Sequence, residues 1–152
     1  MSTIQEKALA LHAAGSNCAQ CVLCAFADTN GFDFCLAHSL CTCLGAGFGR
    51  RQLVCGAITG GAMAIGATLG NECGADQKAK ERCYELVNAF VATIEKEFGS
   101  SDCRSLLGVD ISTDEGRSEL KAKGLGTSVC DKIIARSAQL IESIILEQQA
   151  LG

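Results

Sequence analysis

The sequence predicts an all-α fold, a single-domain bundle of about six to seven helices around a central Gly/Ala-rich helix. Apolar residues recur at helical spacing along most of the chain, and no stretch alternates with the period of two that a half-buried strand requires. The chain has 17 glycines and no proline, so glycines and polar caps are expected to end the helices. Its 152 residues fit one domain, residues 1–152, with a real core.

The first half of the chain is predicted to hold four helices, over residues 3–14, 17–28, 33–43 and 55–69. Gly15 ends the first helix, and Ser16 is the predicted cap of the second. The stretch 45–51 contains three glycines and is expected to be a loop. The fourth helix is the central Gly/Ala-rich one.

The second half begins with the helix whose periodicity is clearest. Asp76 is its predicted cap, and its apolar positions follow a 3.6-residue stripe. A short helical turn is predicted over residues 100–107, and the charged residues 113–121 are predicted to form a surface helix. Thr127 or Ser128 is expected to cap the last helix, which carries apolar residues at helical spacing.

Composition argues against two classes of partner. The net charge is −4, the longest cationic run is Arg50-Arg51, and only seven residues are aromatic, so we expect no nucleic-acid interface. The segment 53–71 has no charged residue and is long enough to cross a bilayer. Its high Gly and Ala content favours a buried helix that neighbours approach closely, so we expect no membrane span.

Eleven cysteines in 152 residues are the most unusual feature of the composition. The first residues lack the apolar core of a secretory signal, so we expect a cytoplasmic location in which most thiols stay reduced. Reduced cysteines in such number indicate metal binding, redox chemistry or packing. No CxxCH motif occurs, and covalent haem is therefore not expected.

Four of these cysteines share one local setting, at or near the first turn of a predicted helix. They are Cys18, Cys55, Cys103 and Cys130. Backbone N–H groups at a helix start lack intrahelical partners, and the helix dipole is positive there. Both effects stabilise thiolate, the form that binds metals and attacks disulfides. Any single cysteine is more often a small buried hydrophobe, but four such placements predict a shared cofactor or metal site.

Four further residues are predicted to support this site. Arg50 and Arg51 place positive charge just ahead of Cys55. Gly56 and Gly60 lie in the first turns of the Gly/Ala-rich helix, where the lack of side chains lets a neighbouring element approach closely.

Cys18, Cys21 and Cys24 follow a CxxCxxC spacing that resembles part of a ferredoxin cluster loop. No nearby fourth cysteine completes that loop. A spacing of three on a helix spreads the thiols over about 100° or more, so one metal could not easily take all three.

The remaining cysteines carry weaker signals. Cys41 and Cys43, together with His38, form part of a zinc-like ligand set but lack the paired CxxC spacing. Cys83 lies in the middle of an apolar stripe, so we predict a packing role. No signal distinguishes the last two, Cys35 and Cys73.

Several segments of the chain, taken in order, resemble a known family. They are Asn17-Cys18-Ala19-Gln20, Gly47-Phe48-Gly49, Cys55-Gly56-Ala57-Ile58-Thr59-Gly60, Cys103-Arg104-Ser105-Leu106-Leu107-Gly108 and Cys130. This order is similar to that of the redox-active protein family named for its C_GCAxxG_C_C pattern. The resemblance implies a domain of this size whose four hallmark cysteines correspond to Cys18, Cys55, Cys103 and Cys130. It also implies a relation to the non-haem helical domain of split-Soret cytochromes, where an iron–sulfur-type centre has been proposed.

Three functions stay open at the level of sequence. The first is electron transfer through an iron–sulfur or similar cysteine-ligated metal cluster, with an unidentified donor or acceptor. The second is metal-free thiol–disulfide chemistry. The third is a structural zinc site or a helical interaction module, in which the Gly/Ala-rich helix would serve a helix–helix or homodimer interface. The sequence identifies no substrate pocket, so it assigns no enzymatic reaction.

Overall fold

The computed structural model describes the whole chain, Met1–Gly152, and contains nine right-handed α-helices and no strand. The helices are α1 Ile4–Ala13, α2 Cys18–Ala25, α3 Ala27–Asn30, α4 Phe34–Leu40, α5 Gly56–Leu69, α6 Gln77–Phe98, α7 Cys103–Leu107, α8 Asp114–Ala122 and α9 Asp131–Leu151. The all-α prediction is confirmed, whereas the predicted count of six to seven helices is wrong.

The higher count arises where predicted helices break. The helix predicted over 17–28 ends at Phe26, whose backbone leaves regular α geometry at φ −92° and ψ −6°, and the single-turn α3 follows. Phe26 is 2% exposed, so packing of its ring in the core outweighs the helical pattern here. The helix predicted over 33–43 ends at Leu40, and a 3₁₀ turn, Thr42–Leu44, continues the chain.

Polar caps set most helix starts. The side chains of Thr3, Asp76, Asp102 and Thr113 each accept a hydrogen bond from the backbone N–H three residues further on. The cap of α2 is Asn17, one residue after the predicted Ser16.

The start of α9 differs from the prediction, since neither Thr127 nor Ser128 caps it. A π-helical turn, Gly126–Cys130, runs directly into α9, and Cys130 has helical angles of φ −61° and ψ −45°. The turn is entered through Gly124, at φ +62°, whose carbonyl accepts from the N–H groups of Thr127 and Ser128. A helix that continues from a preceding helical turn needs no side-chain cap. The prediction that Thr127 or Ser128 caps this helix is wrong for that reason.

The Gly/Ala-rich helix α5 lies at the centre of the fold, as predicted, and packs against α2, α6 and α9. A Cβ at Gly60 would lie 2.4 Å from the carbonyl oxygen of Ala19, and one at Gly61 would lie 2.8 Å from the ring of Phe90. The small residues of α5 are therefore used within the chain. No helix of the structure has the length and hydropathy needed to cross a bilayer.

Candidate cysteine site

The four cysteines singled out from the sequence line one small cavity inside the protein: Cys18, Cys55, Cys103 and Cys130. They reach it from four places in the chain, namely the first residue of α2, the residue before α5, the first residue of α7 and the last residue of the π turn. The rest of the lining is apolar or small: Ala46, Gly56, Leu106, Leu107, Val129 and Ile133. The cavity volume is about 20 Å³, enough for one water-sized occupant.

Cys55 has the helix-start donors that the sequence predicts, but the predicted net stabilisation of its thiolate is wrong. Burial raises the pKa of its thiol to about 12, whereas the backbone N–H groups of Ala57 and Ile58 in the first turn of α5 act to lower it. The sulfur therefore lies among oriented backbone donors, although the surrounding apolar shell dominates.

Cys18 and Cys130 influence each other more strongly than any other group does. Interaction between the two neighbouring thiols raises the pKa of Cys18 well above its ordinary value and lowers the pKa of Cys130. Burial adds to the rise at Cys18 and opposes the fall at Cys130. Cys55 also raises the pKa of Cys18 through charge repulsion, so the pKa of Cys18 depends on both of the neighbouring cavity thiols.

Cys103 has a polar partner that the sequence did not reveal. Nε2 of Gln52 lies 3.8 Å from the Cys103 sulfur and donates to it, and this partly offsets the burial that raises the pKa of Cys103 to about 11. Gln52 is 5% exposed, and its side chain also donates to the carbonyl of Val109 and accepts from the N–H of Ile111, each at 2.9 Å. A glutamine between an arginine and a leucine gives no sequence signal of such burial.

A short backbone bridge holds Cys55 and Cys103 next to each other. The N–H of Cys55 donates to the carbonyl of Ser101 at 2.8 Å, and the N–H of Cys103 donates to the carbonyl of Leu53 at 2.7 Å. The starts of α5 and α7 are thus fixed to each other without any side chain. One consequence is that the backbone N–H of Cys103 already has an acceptor and is not a free donor for a cavity sulfur.

Asn17 and Gln20, which flank Cys18 in the family-like motif, fix the start of α2. Each side chain accepts from the other residue's backbone N–H at 2.9 Å, which completes a reciprocal capping box. Gln20 then donates to the carbonyl of His38 at 3.0 Å, and Asn17 donates to the carbonyl of Thr42 at 3.1 Å. These bonds tie the first turn of α2, and with it Cys18, to the end of α4.

Residues 46–50 form a left-handed turn, where the sequence predicted only a glycine loop. All five have φ between +54° and +75°, and the N–H of Gly49 donates to the carbonyl of Gly45 at 2.9 Å. Left-handed geometry costs about 1–2 kcal/mol at each residue with a side chain, so the fold around it must hold it in place. The turn brings Ala46 to the cavity wall and directs the chain so that Gln52 reaches Cys103.

Gly56 and Gly60 act as the sequence predicts, by letting α5 approach α2. A Cβ at Gly56 would lie 2.9 Å from the Cβ of Cys18, and the carbonyl oxygen of Ala19 leaves no room for one at Gly60. The two glycines therefore set the distance between Cys18 and the helix that carries Cys55.

Arg50 and Arg51 do not line the cysteine cavity. Both are exposed and line a separate open cleft, which they share with Arg104. The predicted positive field is therefore outside the cavity wall, on the far side of Gln52.

The other seven cysteines do not join the cavity. Cys21 and Cys24 continue along α2 into the core, so the CxxCxxC spacing separates its thiols as expected for a helix. Cys41 is fully buried with its sulfur 3.5 Å from that of Met63, whereas Cys43 is exposed, so these two do not share a zinc-like site. Cys83 packs against the core, as predicted; two others are exposed, Cys35 and Cys73.

All eleven cysteines are free thiols in the structure. No three or more His, Cys, Asp and Glu side chains form a group that could hold a metal ion as they are arranged. The cavity thus brings four thiols to one place without fixing them at metal-ligand distances.

Comparison with known proteins gives one match. Residues 16–144 match the family described as "Putative redox-active protein (C_GCAxxG_C_C)", and this range includes all four cavity cysteines. Neither the curated proteins nor the solved structures include one that matches the chain.

Proposed function

The chain belongs to the C_GCAxxG_C_C family of redox-active proteins, and on that premise we propose that its four cavity cysteines bind a cysteine-ligated metal cofactor for electron transfer, such as an iron–sulfur cluster. One observation carries the proposal. Four thiols from four separate parts of the chain face a single apolar cavity, and each part is fixed by its own backbone or side-chain bonds.

The donor set suits such a cofactor. Four cysteine thiolates are the usual ligands of iron–sulfur clusters and of structural zinc. The apolar lining would exclude water, and the N–H groups of Ala57 and Ile58 together with Gln52 are donors that can hydrogen-bond thiolate sulfur. A volume of about 20 Å³ matches a single ion, whereas a multinuclear cluster requires the surrounding elements to move apart.

The charge balance favours a cationic occupant. Burial raises the pKa of Cys55 to about 12 and that of Cys103 to about 11, so without a cation both thiols keep their protons at neutral pH. Four thiolates cannot share an apolar cavity unless positive charge compensates them. Metal binding must therefore release protons, and its affinity should rise with pH.

A bound cluster would supply one-electron transfer, and the chain's own residues would set its environment. Gln52 and the first turn of α5 would donate hydrogen bonds to the sulfurs, which favours the more reduced, more negative state. Gly56 and Gly60 would keep α2 and α5 at the distance that the shared site needs.

Anaerobic purification followed by reconstitution with ferrous iron and sulfide tests the proposal. Charge-transfer absorbance in the visible range, iron and sulfide content per chain, and a paramagnetic signal on reduction are expected for a cluster. Zinc content without visible absorbance would assign the site to structural metal instead. Protein that stays colourless and free of metal after reconstitution would contradict metal binding altogether.

A second function is supported by the pairing of Cys18 with Cys130. The pKa of the Cys130 thiol lies below its ordinary value, and Cys18 lines the same cavity, so Cys130 would be the attacking thiol and Cys18 the resolving one. In that reaction the Cys130 thiolate attacks a substrate disulfide and expels one substrate thiolate. Cys18 then attacks Cys130, so the protein gains one disulfide and the substrate is reduced to two thiols.

Thiol trapping in glutathione buffers of graded potential separates this function from the first. Thiol–disulfide chemistry predicts a two-electron transition that is lost in Cys18→Ser and in Cys130→Ser but kept in Cys55→Ser. If Cys55→Ser loses the transition too, or if no disulfide links Cys18 to Cys130, the second function is wrong.

A further inference from the structure

A polar cleft lies on the outer side of Gln52, next to the cysteine cavity but separate from it. Eight residues line it, none of them hydrophobic, and its volume is about 750 Å³. They are Gly49, Arg50, Arg51, Gln52, Arg104, Asp110, Ser112 and Arg117.

Positive charge is concentrated in this arginine cleft. Four of the chain's six arginines line it, against the single carboxylate of Asp110. The rest of the molecule has the opposite charge balance. The whole chain has 17 acidic and 13 basic residues, and outside the cleft 16 acidic and 9 basic residues remain. A protein with a net charge of −4 thus gathers its guanidinium groups on one concave surface.

Internal partners account for only two of these four arginines. Arg104 pairs with Asp110 at 3.2 Å, and Arg117 bonds to Asp114 and to the carbonyl of Ile111. Arg50 and Arg51 form no ion pair and no side-chain hydrogen bond within the chain, so two complete guanidinium forks face solvent at the cleft.

The backbone holds Arg50 in an unfavourable conformation. It is the last residue of the left-handed turn, at φ +69°, a conformation that residues with a side chain rarely adopt. Glycine occupies the neighbouring position 49 without strain, yet position 50 carries an arginine whose side chain forms no hydrogen bond or ion pair within the chain. Strain of this kind is typical of functional sites.

We propose that the arginine cleft binds a small molecule that carries at least two anionic groups, phosphates or carboxylates. Guanidinium forks match both groups through paired hydrogen bonds. With two guanidinium groups left unpaired, the cleft is best neutralised by a ligand that carries at least two negative charges. The absence of apolar lining favours a small polar ligand over a protein surface, since the centre of a protein interface is usually apolar.

The position of Gln52 places this ligand near the cysteines. Gln52 lines the cleft and donates to the sulfur of Cys103, so one residue separates the two sites. The anion site stands whether the cavity holds a metal, a disulfide or free thiols, because none of its arginines lines the cavity.

Calorimetric titration of the full chain with pyrophosphate and, separately, with citrate tests the proposal at low ionic strength. The two probes distinguish phosphate from carboxylate ligands. The double variant Arg50→Ala/Arg51→Ala should raise the Kd at least about tenfold, since it removes two charge-assisted hydrogen-bonding groups. Arg50→Lys/Arg51→Lys keeps the charge but loses the forks, so a smaller rise in Kd is expected.

The matched control is Arg82→Ala/Arg136→Ala, which removes the same charge from two arginines outside the cleft that pair with Glu85 and Glu97. It should change the Kd less than about twofold, as expected for charges remote from a site. Circular dichroism checks folding, and Arg51→Ala alone replaces the double variant if that variant does not fold.

Three results would overturn the proposal. In the first, neither pyrophosphate nor citrate binds. Binding of an acidic protein to the cleft would not rescue the proposal, which is for a small molecule. In the second, both double alanine variants weaken binding equally, which would make the effect one of net charge. In the third, Arg50→Ala/Arg51→Ala binds as tightly as the unmodified chain.

Discussion

Helix α2 carries thiols into two different regions of the molecule. Its first residue, Cys18, faces the cysteine cavity, while Cys21 and Cys24, further along the same helix, lie in the core. Cys41 joins these core thiols from the end of α4. The same residue type therefore lies in two different surroundings within two turns of one helix.

The two regions differ in what surrounds the sulfur. Cavity sulfurs have directed donors, such as the N–H groups of Ala57 and Ile58 and the amide of Gln52. Burial is the largest effect on the pKa in both regions, and among the core thiols it raises the pKa of Cys21 to about 12 and that of Cys24 to about 11. Donors at the starts of α5 and α7 thus distinguish Cys55 and Cys103 from a thiol within a buried helix, which behaves as a small apolar side chain.

The largest expected effect is on metal binding. Cys55→Ala removes one of four proposed ligands and should weaken metal binding at least about 100-fold, because a fourth thiolate cannot be replaced from the apolar wall. Cys41→Ala is the matched control, since it removes an equally buried thiol and should leave the metal content unchanged. Metal analysis after anaerobic reconstitution of both variants checks this. If both variants lost metal equally, the proposed difference between the cavity thiols and the core thiols would be wrong.

The second effect concerns the packing that holds the two regions together. Gly60→Ala places a Cβ against the backbone of Ala19 and should lower the free energy of unfolding by about 3 kcal/mol. Gly66→Ala, on the same helix, meets no atom within 4 Å and should raise the free energy of unfolding by about 0.5–1 kcal/mol. Urea denaturation of both variants measures the difference. A Gly60→Ala variant as stable as the unmodified chain would show that α2 and α5 are not held this closely.

The structure explains which parts of this comparison could be predicted from sequence. Caps such as Asp76 and Asp102 are local signals, and the helix starts that they mark bring Cys103 to the cavity. The left-handed turn and the burial of Gln52 depend on contacts between distant segments, such as that of Gln52 with Val109. The π turn that ends at Cys130 could not be predicted either, since a Thr-Ser pair resembles a cap whether or not it lies inside a continuous helical segment.

Cysteine-to-serine substitutions should distinguish the core from the cavity, because the two regions differ in the hydrogen-bond partners available to a serine hydroxyl. Cys41→Ser puts a hydroxyl into a fully buried site next to Met63 and should cost about 2 kcal/mol of stability. Cys55→Ser should cost less in the metal-free protein, about 1 kcal/mol or below, because a serine before the first turn of α5 is a favourable cap. Thermal denaturation under reducing conditions compares them. A reversed order would mean that the cavity, not the core, is the less polar region.

The smallest expected effect is on the alkaline side of the stability profile. A thiol whose pKa is raised keeps its proton in the folded state but loses it in the unfolded state, so stability falls as pH rises above 9. Between pH 9 and 10 each such thiol contributes a loss of about 1 kcal/mol. Between pH 9 and 10, the free energy of unfolding of Cys55→Ala should therefore fall by about 1 kcal/mol less than that of the unmodified chain. Chemical denaturation at the two pH values measures it, and unchanged sensitivity would contradict the burial of this thiol.

The most direct test of the central claim is anomalous diffraction at the metal edge from crystals of the reconstituted protein. We predict an anomalous peak between the sulfurs of the four cavity cysteines, Cys18, Cys55, Cys103 and Cys130, and none at the core thiols. A peak at Cys21, Cys24 or Cys41, or the absence of any peak between the cavity sulfurs of protein that has bound metal, would contradict the account.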